Sequence, residues 1–175
     1  MKALLTLGLV FGLTSLAVAA EAKYPLTGEN TKIEWTGTKK AGKHTGGFSK
    51  LTGNATVSGS GEVAMAVDID VDSLTSDDAK LTAHLKGADF FSVKEHPKAK
   101  FASTKIVKGD KSYTVTGDFT LLGKKKEITF PAEINTTGGL KLTAEFKINR
   151  TDYGMTYGKG QVDDDVALKV TVTAK

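Results

Sequence analysis

Cysteine is absent from this 175-residue chain. That excludes disulfide staples, thiol catalysis and thiolate-bound metal together, so stability has to come from packing and strand pairing. Arginine is almost absent as well: of 24 basic residues, 23 are lysine and only Arg150 is arginine. Lysines scattered singly along a chain mark a solvated face and guard sheet edges against pairing. Nucleic-acid binders instead gather arginine and interleaved aromatics on a strongly basic surface, and a net charge of +4 spread this thinly argues against that class. There are three histidines, His44, His84 and His96, and no HxH or HxxxH spacing puts two of them on one element. No G-x-S-x-G elbow positions a nucleophilic serine. The acidic stretches Asp68-Asp70-Asp72 and Asp163 to Asp165 lack the glycine and terminal glutamate of a calcium loop. No catalytic residue and no metal ligand is therefore assigned, and no cofactor is expected.

Long apolar runs are confined to the N-terminus. Lys2 supplies a positive start, Ala3 to Val18 is apolar but short and rich in small residues, and Ala17-Val18-Ala19 and Ala20-Glu21-Ala22 both offer A-x-A cleavage sites. Residues 1–20 read as a secretory signal peptide cut between Ala19 and Ala22. An uncleaved anchor is the alternative, but the run is too small-residue-rich to make a convincing span. No cysteine follows it to carry a lipid, and no stable membrane insertion is expected. Residues 21–175 then form a single domain of net charge +3, with 23 basic and 20 acidic residues. A domain of that length buries roughly 70% of its unfolded surface without staples.

What the chain has in abundance is strict alternation. Val63, Met65, Val67, Ile69 and Val71 oppose Glu62, Ala64, Ala66, Asp68 and Asp70. Tyr113 to Leu121, Ile128 to Ile134, Leu140 to Ile148 and Val166 to Val172 repeat the pattern. With Ile33–Thr38, Thr45–Val57 and Lys100–Val107 this predicts eight antiparallel strands, each with one apolar and one wet face. Gly and polar residues punctuate the turns, as in Ser58-Gly59-Ser60-Gly61 and Thr137-Gly138-Gly139. Between the third and fourth strands a short helix is predicted over about 75–86. Leu74, Leu81 and Leu85 share a face, Thr75 and Asp78 resemble a capping pair, and Gly87 is a natural stop. Phe90 and Phe91 follow and must be buried, so the helix is expected to pack on the sheet. Eight strands with one apolar face each can close into a barrel or fold into a two-sheet sandwich. Closure has the advantage of removing exposed edges.

Inward positions inferred from the alternation mix bulky groups (Trp35, Phe48, Tyr113, Phe119, Phe130, Phe146) with small ones (Gly53, Ala55, Gly117, Ala132, Ala144). The small residues either accommodate their bulky neighbours or leave an apolar channel. A ten-residue strand spans roughly 33 Å, comparable with an extended lipid tail. Arg150 closes one alternating strand. It either pairs with a carboxylate such as Asp152 or Asp118 or offers its fork of donors to a ligand head group.

Five blocks in order carry a resemblance. They are Trp35-Thr36-Gly37-Thr38-Lys39, His44-Thr45-Gly46-Gly47-Phe48, Leu81 to Phe101, Tyr113 to Pro131 and Arg150-Thr151-Asp152-Tyr153-Gly154. Together, over roughly Tyr24 to Ala174, the chain resembles the YceI-like family of periplasmic polyisoprenoid-binding proteins. Two departures stand out: the lysine run Lys124 to Lys126, and Ser92 where an acidic residue commonly follows the two phenylalanines. The resemblance implies a periplasmic location and an all-β, eight-stranded, lipocalin-like antiparallel barrel with its helix near one end. It further implies a non-enzymatic carrier holding a long-chain isoprenoid, quinone-like molecule or other lipid, with the cavity lined by Trp35, Phe48, Tyr113, Phe119, Phe130, Ala132, Ala144 and Phe146. The competing class is an envelope stress or interaction module with a filled barrel. A homodimer is left open for either.

Overall fold

The computed structural model describes residues 21–175, so the signal-peptide reading of residues 1–20 lies outside the described residues. The chain forms strands β1 (Ala22–Thr27), β2 (Thr31–Lys39), β3 (Gly42–Phe48), β4 (Leu51–Val57), β5 (Val63–Asp70) and β6 (Leu74–Ser76), followed by helix α1 (Ala79–Lys86). Strands β7 (Lys98–Lys108), β8 (Tyr113–Leu121), β9 (Lys124–Asn135), β10 (Leu140–Asn149) and β11 (Val162–Ala174) complete it, with 3₁₀ turns at Val71–Ser73 and Arg150–Tyr153. The single sheet runs β1-β4-β5-β7-β8-β9-β10-β11-β2-β3-β6, and every neighbouring pair is antiparallel.

Eleven segments reconcile with eight predicted strands once the bends are followed. β3 and β4 are one ribbon interrupted at Ser49–Lys50, as are β1 with β2 and β5 with β6. One half of each ribbon (β1, β4 and β5) pairs at one end of this order and the other half (β2, β3 and β6) at the opposite end, which is how a sheet closes into a ring. Register changes across the bend: Thr27 faces Thr52 on one side of it and Ile33 faces Phe48 on the other. Gly28 allows the crossing, because a Cβ there would lie 2.0 Å from the Ser49 carbonyl oxygen. Counted as ribbons, the barrel has the eight members that the alternation requires.

The inward register agrees with the pattern. Val63, Ile69 and Val71 are buried and Met65 and Val67 half-buried, whereas Asp68 and Asp70 point out to pair with Lys100 (2.9 Å) and Lys98 (3.8 Å). Three differences from the expectation have local causes. β1 escapes sequence reading because it is short and carries Pro25, tolerable on a strand that pairs on one side with β4. Ser49–Lys50 splits what reads as one strand. The helix begins at Ala79, not near 75, since Leu74–Ser76 is strand paired with β3. Its cap is therefore Asp78, whose carboxylate accepts from the Leu81 N–H at 2.7 Å, and not Thr75.

One end of the barrel, where the β4–β5, β7–β8 and β9–β10 connections lie, is filled by side chains such as Leu26, Val115, Ala132 and Leu140. At the other end Leu74, Leu85, Phe90 and Met155 form a second core beneath α1. Asp77 fastens this end. It accepts from the Thr45 N–H at 3.0 Å and lies 2.9 Å from His44 Nδ1, and the His44 hydrogen bond, with the Thr45 one, holds its carboxyl below the usual 3.8.

Candidate functional site

Between the two cores lies a cavity of about 190 Å³. Its wall is built by inward positions of the strands: Trp35 and Gly37 on β2, Phe101 on β7, Phe119 on β8, Phe130 on β9 and Phe146 on β10. Leu85 of α1, Phe90 and Phe91 of the following turn, and Met155 of the loop before β11 lie across its helix end. Ring packing fixes much of the wall. Phe130 and Phe146 stack with centroids 4.1 Å apart and planes within 9°, Phe101 leans on Phe130 at 5.7 Å, and Phe48 meets Phe91 edge-on at 5.9 Å.

Of the residues inferred to line the interior, Trp35, Phe48, Phe119, Phe130 and Phe146 do so. Tyr113, Ala132 and Ala144 do not belong to the lining. Tyr113 faces Ala132 across β8 and β9 at the packed end, where Ala132 is buried. Ala144 is likewise buried, in the core between the lining residues Leu142 and Phe146. The small inward residues divide. Gly117 makes room for the Phe101 ring and Gly46 for the Trp35 ring, whose atoms would lie 2.7 Å and 2.5 Å from an added Cβ. Gly37 instead leaves space open, with only Trp35 Cζ3, at 3.9 Å, near an added Cβ.

Arg150 reaches the cavity wall but is engaged elsewhere. It is 2% exposed, and its Nε donates to the Asp163 carbonyl at 3.0 Å. One terminal nitrogen donates to the carbonyls of Met155 and Tyr157, both at 2.8 Å. The other donates to the Val162 carbonyl and to Asp164 Oδ1, both at 3.2 Å. All five guanidinium donors are thereby satisfied within the chain, which leaves none for a head group. The carboxylate partner is Asp164, not Asp152 or Asp118; Asp118 pairs with Lys125 at 2.9 Å. Arg150 thus anchors the Gly154–Gln161 loop, including the Met155 that covers the cavity. Sequence reasoning missed this because four of the five acceptors are backbone carbonyls, which leave no residue-type signal.

Tyr153 completes that corner, packing on the lining ring of Phe119 at 5.4 Å. Burial, with the Asp152 charge adding to it, pushes its hydroxyl above the usual 10.0. His84 lies outside the cavity, 3.0 Å from Asp89, with its ring against Phe90 and Tyr157. Among the described residues no group of three or more His, Cys, Asp or Glu is arranged to hold a metal ion.

Known proteins are similar to this chain in sequence and in fold. A UPF0312 protein of Pseudomonas putida (strain W619) is 32% identical over 183 residues, spanning 97% of this chain and 94% of its own. The crystal structure of Burkholderia cenocepacia BcnA superposes with a TM-score of 0.74 at 24% identity, covering 81% of this chain and 94% of that one. A polyisoprenoid binding domain from Saccharophagus degradans implicated in plant cell wall breakdown superposes with a TM-score of 0.67 at 13% identity, covering 89% and 99%. At such identities the two structures bear on the fold alone. The YceI-like domain description matches residues 24–174, nearly the whole described chain, and with it the five ordered sequence blocks and the closed eight-ribbon barrel make this protein a member of the YceI-like family.

Proposed function

We propose that this is a non-enzymatic, exported binding protein that carries a long-chain isoprenoid, quinone-like molecule or other amphipathic lipid in the periplasm, with the tail inside the barrel. The observation that carries the reading is the cavity itself, an apolar space bounded by rings and aliphatic side chains and covered at one end by α1 and Met155. Burial of hydrocarbon at about 25 cal/mol per Å² holds such a tail without polar contact. A wall of this kind offers no acid, base or nucleophile to a substrate, which favours a carrier over an enzyme. The similarity to a polyisoprenoid binding domain supports the ligand class, and the character of residues 1–20 supports export. Apolar voids of about 150 Å³ accept a benzene-sized guest. A cavity of about 190 Å³ therefore takes a first isoprene segment as it stands, and a longer tail requires lining side chains to move.

Gly37 provides the test. Its backbone lies outside the left-handed region and the space beside it is open, so Gly37→Leu fills the cavity without displacing a strand. Protein is recovered from the periplasmic fraction of its host, where the reading requires it to begin between Ala20 and Ala22, then stripped of lipid and titrated with a fluorescent isoprenoid analogue. The parent should saturate, and Gly37→Leu should melt within a few degrees of it yet retain no analogue. A parent that never binds would favour the filled interaction module. Undiminished binding by Gly37→Leu would place the ligand outside the barrel.

A further inference from the structure

Lysine is spread thinly over most of the chain, but it gathers at the helix end of the barrel. The β2–β3 hairpin turns through Lys39, Lys40 and Lys43, and the β8–β9 hairpin runs from its turn into Lys124, Lys125 and Lys126, with no acid in either stretch. All six are exposed. At the packed end, the connections over 57–63, 108–113 and 135–140 hold two lysines, Lys108 and Lys111, against two acids, Glu62 and Asp110. Among the described residues only Lys125 of the six forms an ion pair, with Asp118. The carboxylates of this end are mostly taken up. Lys86 pairs with Asp72 at 3.2 Å, His84 with Asp89 at 3.0 Å and Arg150 with Asp164 at 3.2 Å. Asp77 accepts from the Thr45 N–H beside His44, and Asp163 accepts from the Thr38 hydroxyl. Asp152, Glu127 and Asp165 keep no such partner, against five free lysines.

The Gly154–Gln161 loop joins the two lysine groups across the mouth. At its start, a Cβ added to Gly154 would lie 2.7 Å from Lys124 Nζ; just past its end, Val162 pairs with Lys39. Between them stands Tyr157, 47% exposed. Its carbonyl is held by Arg150 at 2.8 Å, and its ring is braced on His84 and Phe90 at 5.0 and 5.1 Å. The only other described large hydrophobic so exposed is Val107, near the packed end of β7. An aromatic ring fixed in place, wet on one side and flanked by lysines, suits a lipid–water boundary. We infer that the helix end of the barrel docks reversibly on an anionic membrane surface, with Tyr157 at the head-group level and the two lysine hairpins on either side of it. The ring order sets β10 and β11 between the hairpins one way and β5 and β7 the other, so they stand across the mouth from each other. A broad anionic plane reaches both at once, and a single small anion cannot. Docked this way, the cover formed by Leu85, Phe90 and Met155 faces the membrane. The inference concerns the outer surface and goes beyond the carrier reading, whatever the barrel holds.

The lipid-stripped mature protein is floated with vesicles of phosphatidylcholine, or with vesicles in which about one lipid in three is phosphatidylglycerol. It should float with the anionic vesicles at about 0.05 M salt, stay behind with the neutral ones, and be released by about 0.5 M salt as the screening length falls. Lys39→Gln, Lys40→Gln and Lys43→Gln together should weaken binding about tenfold or more, as should Lys124→Gln with Lys126→Gln, since each lysine beside such a surface contributes roughly fivefold. The control removes the same charge at the packed end: Lys105→Gln, Lys108→Gln and Lys111→Gln together should change binding by less than about twofold. Tyr157→Ser should weaken it roughly fivefold, because the exposed ring face is lost. Equal weakening by the packed-end control, equal flotation with neutral vesicles, or no flotation of the parent overturns the inference. Each leaves the carrier reading standing, because ligand titration needs no vesicle. Undiminished flotation of Tyr157→Ser also overturns it and assigns the lysines to a soluble polyanion. Should Tyr157→Ser melt well below the parent, the two lysine-hairpin variants set against the packed-end control still decide the matter.

Discussion

Arg150 shows how much one side chain can hold when its donors are all used. Its fork satisfies four backbone carbonyls that the Gly154–Gln161 loop and the start of β11 would otherwise leave without partners. A lysine, with three donors on a flexible stem, cannot replace it. Arg150→Ala should cost about 3 kcal/mol or more in a urea melt, because it leaves four carbonyls without donors, and a buried acceptor left unpaired costs about 1–3 kcal/mol. Asp164 is 40% exposed, so its share of the ion pair is screened by solvent. Asp164→Asn should therefore change stability by less than about 1 kcal/mol. If the two variants melt alike, the carbonyl contacts are not what Arg150 contributes. Tyr153, beside it, supplies a pH dependence. Its folded-state pKa is raised, so the neutral hydroxyl is the form that the folded protein favours. The corresponding stability is fully present below the unfolded value of about 10 and is lost as pH rises through the higher folded value. Melts on either side of about pH 10 should show the parent losing more than Tyr153→Phe, with no difference between them near neutrality.

At the scale of elements, α1 is the informative case. Eight residues are too few for a helix to persist alone in water. It is held by the Asp78 cap at one end, by Leu85 in the second core, and by the Phe90–Phe91 turn that folds back so that the Phe91 N–H donates to the Leu85 carbonyl at 3.0 Å. Phe90→Ala should cost about 3–5 kcal/mol, measured by chemical denaturation, because the ring is 8% exposed and braces both His84 and Tyr157. An unchanged midpoint would show that the helix is held by its cap and Leu85 alone. The sequence made the helix, its buried face and its stop at Gly87 legible, since these depend on local spacing. It concealed the start. Leu74 to Ser76 carries the same apolar spacing whether it continues a helix or pairs with β3, and only the partner strand decides. The inward register of β5 and β8 was legible for the complementary reason, that a period of two survives any tertiary arrangement. The bend at Ser49–Lys50 does leave a mark, because the inward positions change parity across it, from Phe48 to Leu51 and Ala55, and reading Thr45–Val57 as one strand overlooks that step. The five aromatic walls of the cavity could be read from alternation, whereas the burial of Ala144 depends on how far along its ribbon it lies from the packed end.

At the scale of the whole molecule, the outer surface carries short cross-strand ion pairs: Lys100–Asp68, Lys125–Asp118 and Lys169–Glu145, each at 2.9 Å. Their exposure makes them minor in energy, and their value lies in keeping the strand faces wet. One join in the ring is weaker than the rest. β9 and β10 are paired only over Glu133–Asn135 opposite Lys141–Thr143, and beyond that the two ribbons are bridged by the Phe130–Phe146 stack. The lysines that open β9 and the proline at position 131 protect the freed edge from adding a foreign strand. Along most of its circumference the barrel has a girth set by hydrogen-bond ladders, which give little. Along this line the girth is set by the packing of two rings. The molecule is thus a clasp more than a pipe: of all its joins, this seam has the fewest backbone bonds to break if the hoop is to widen.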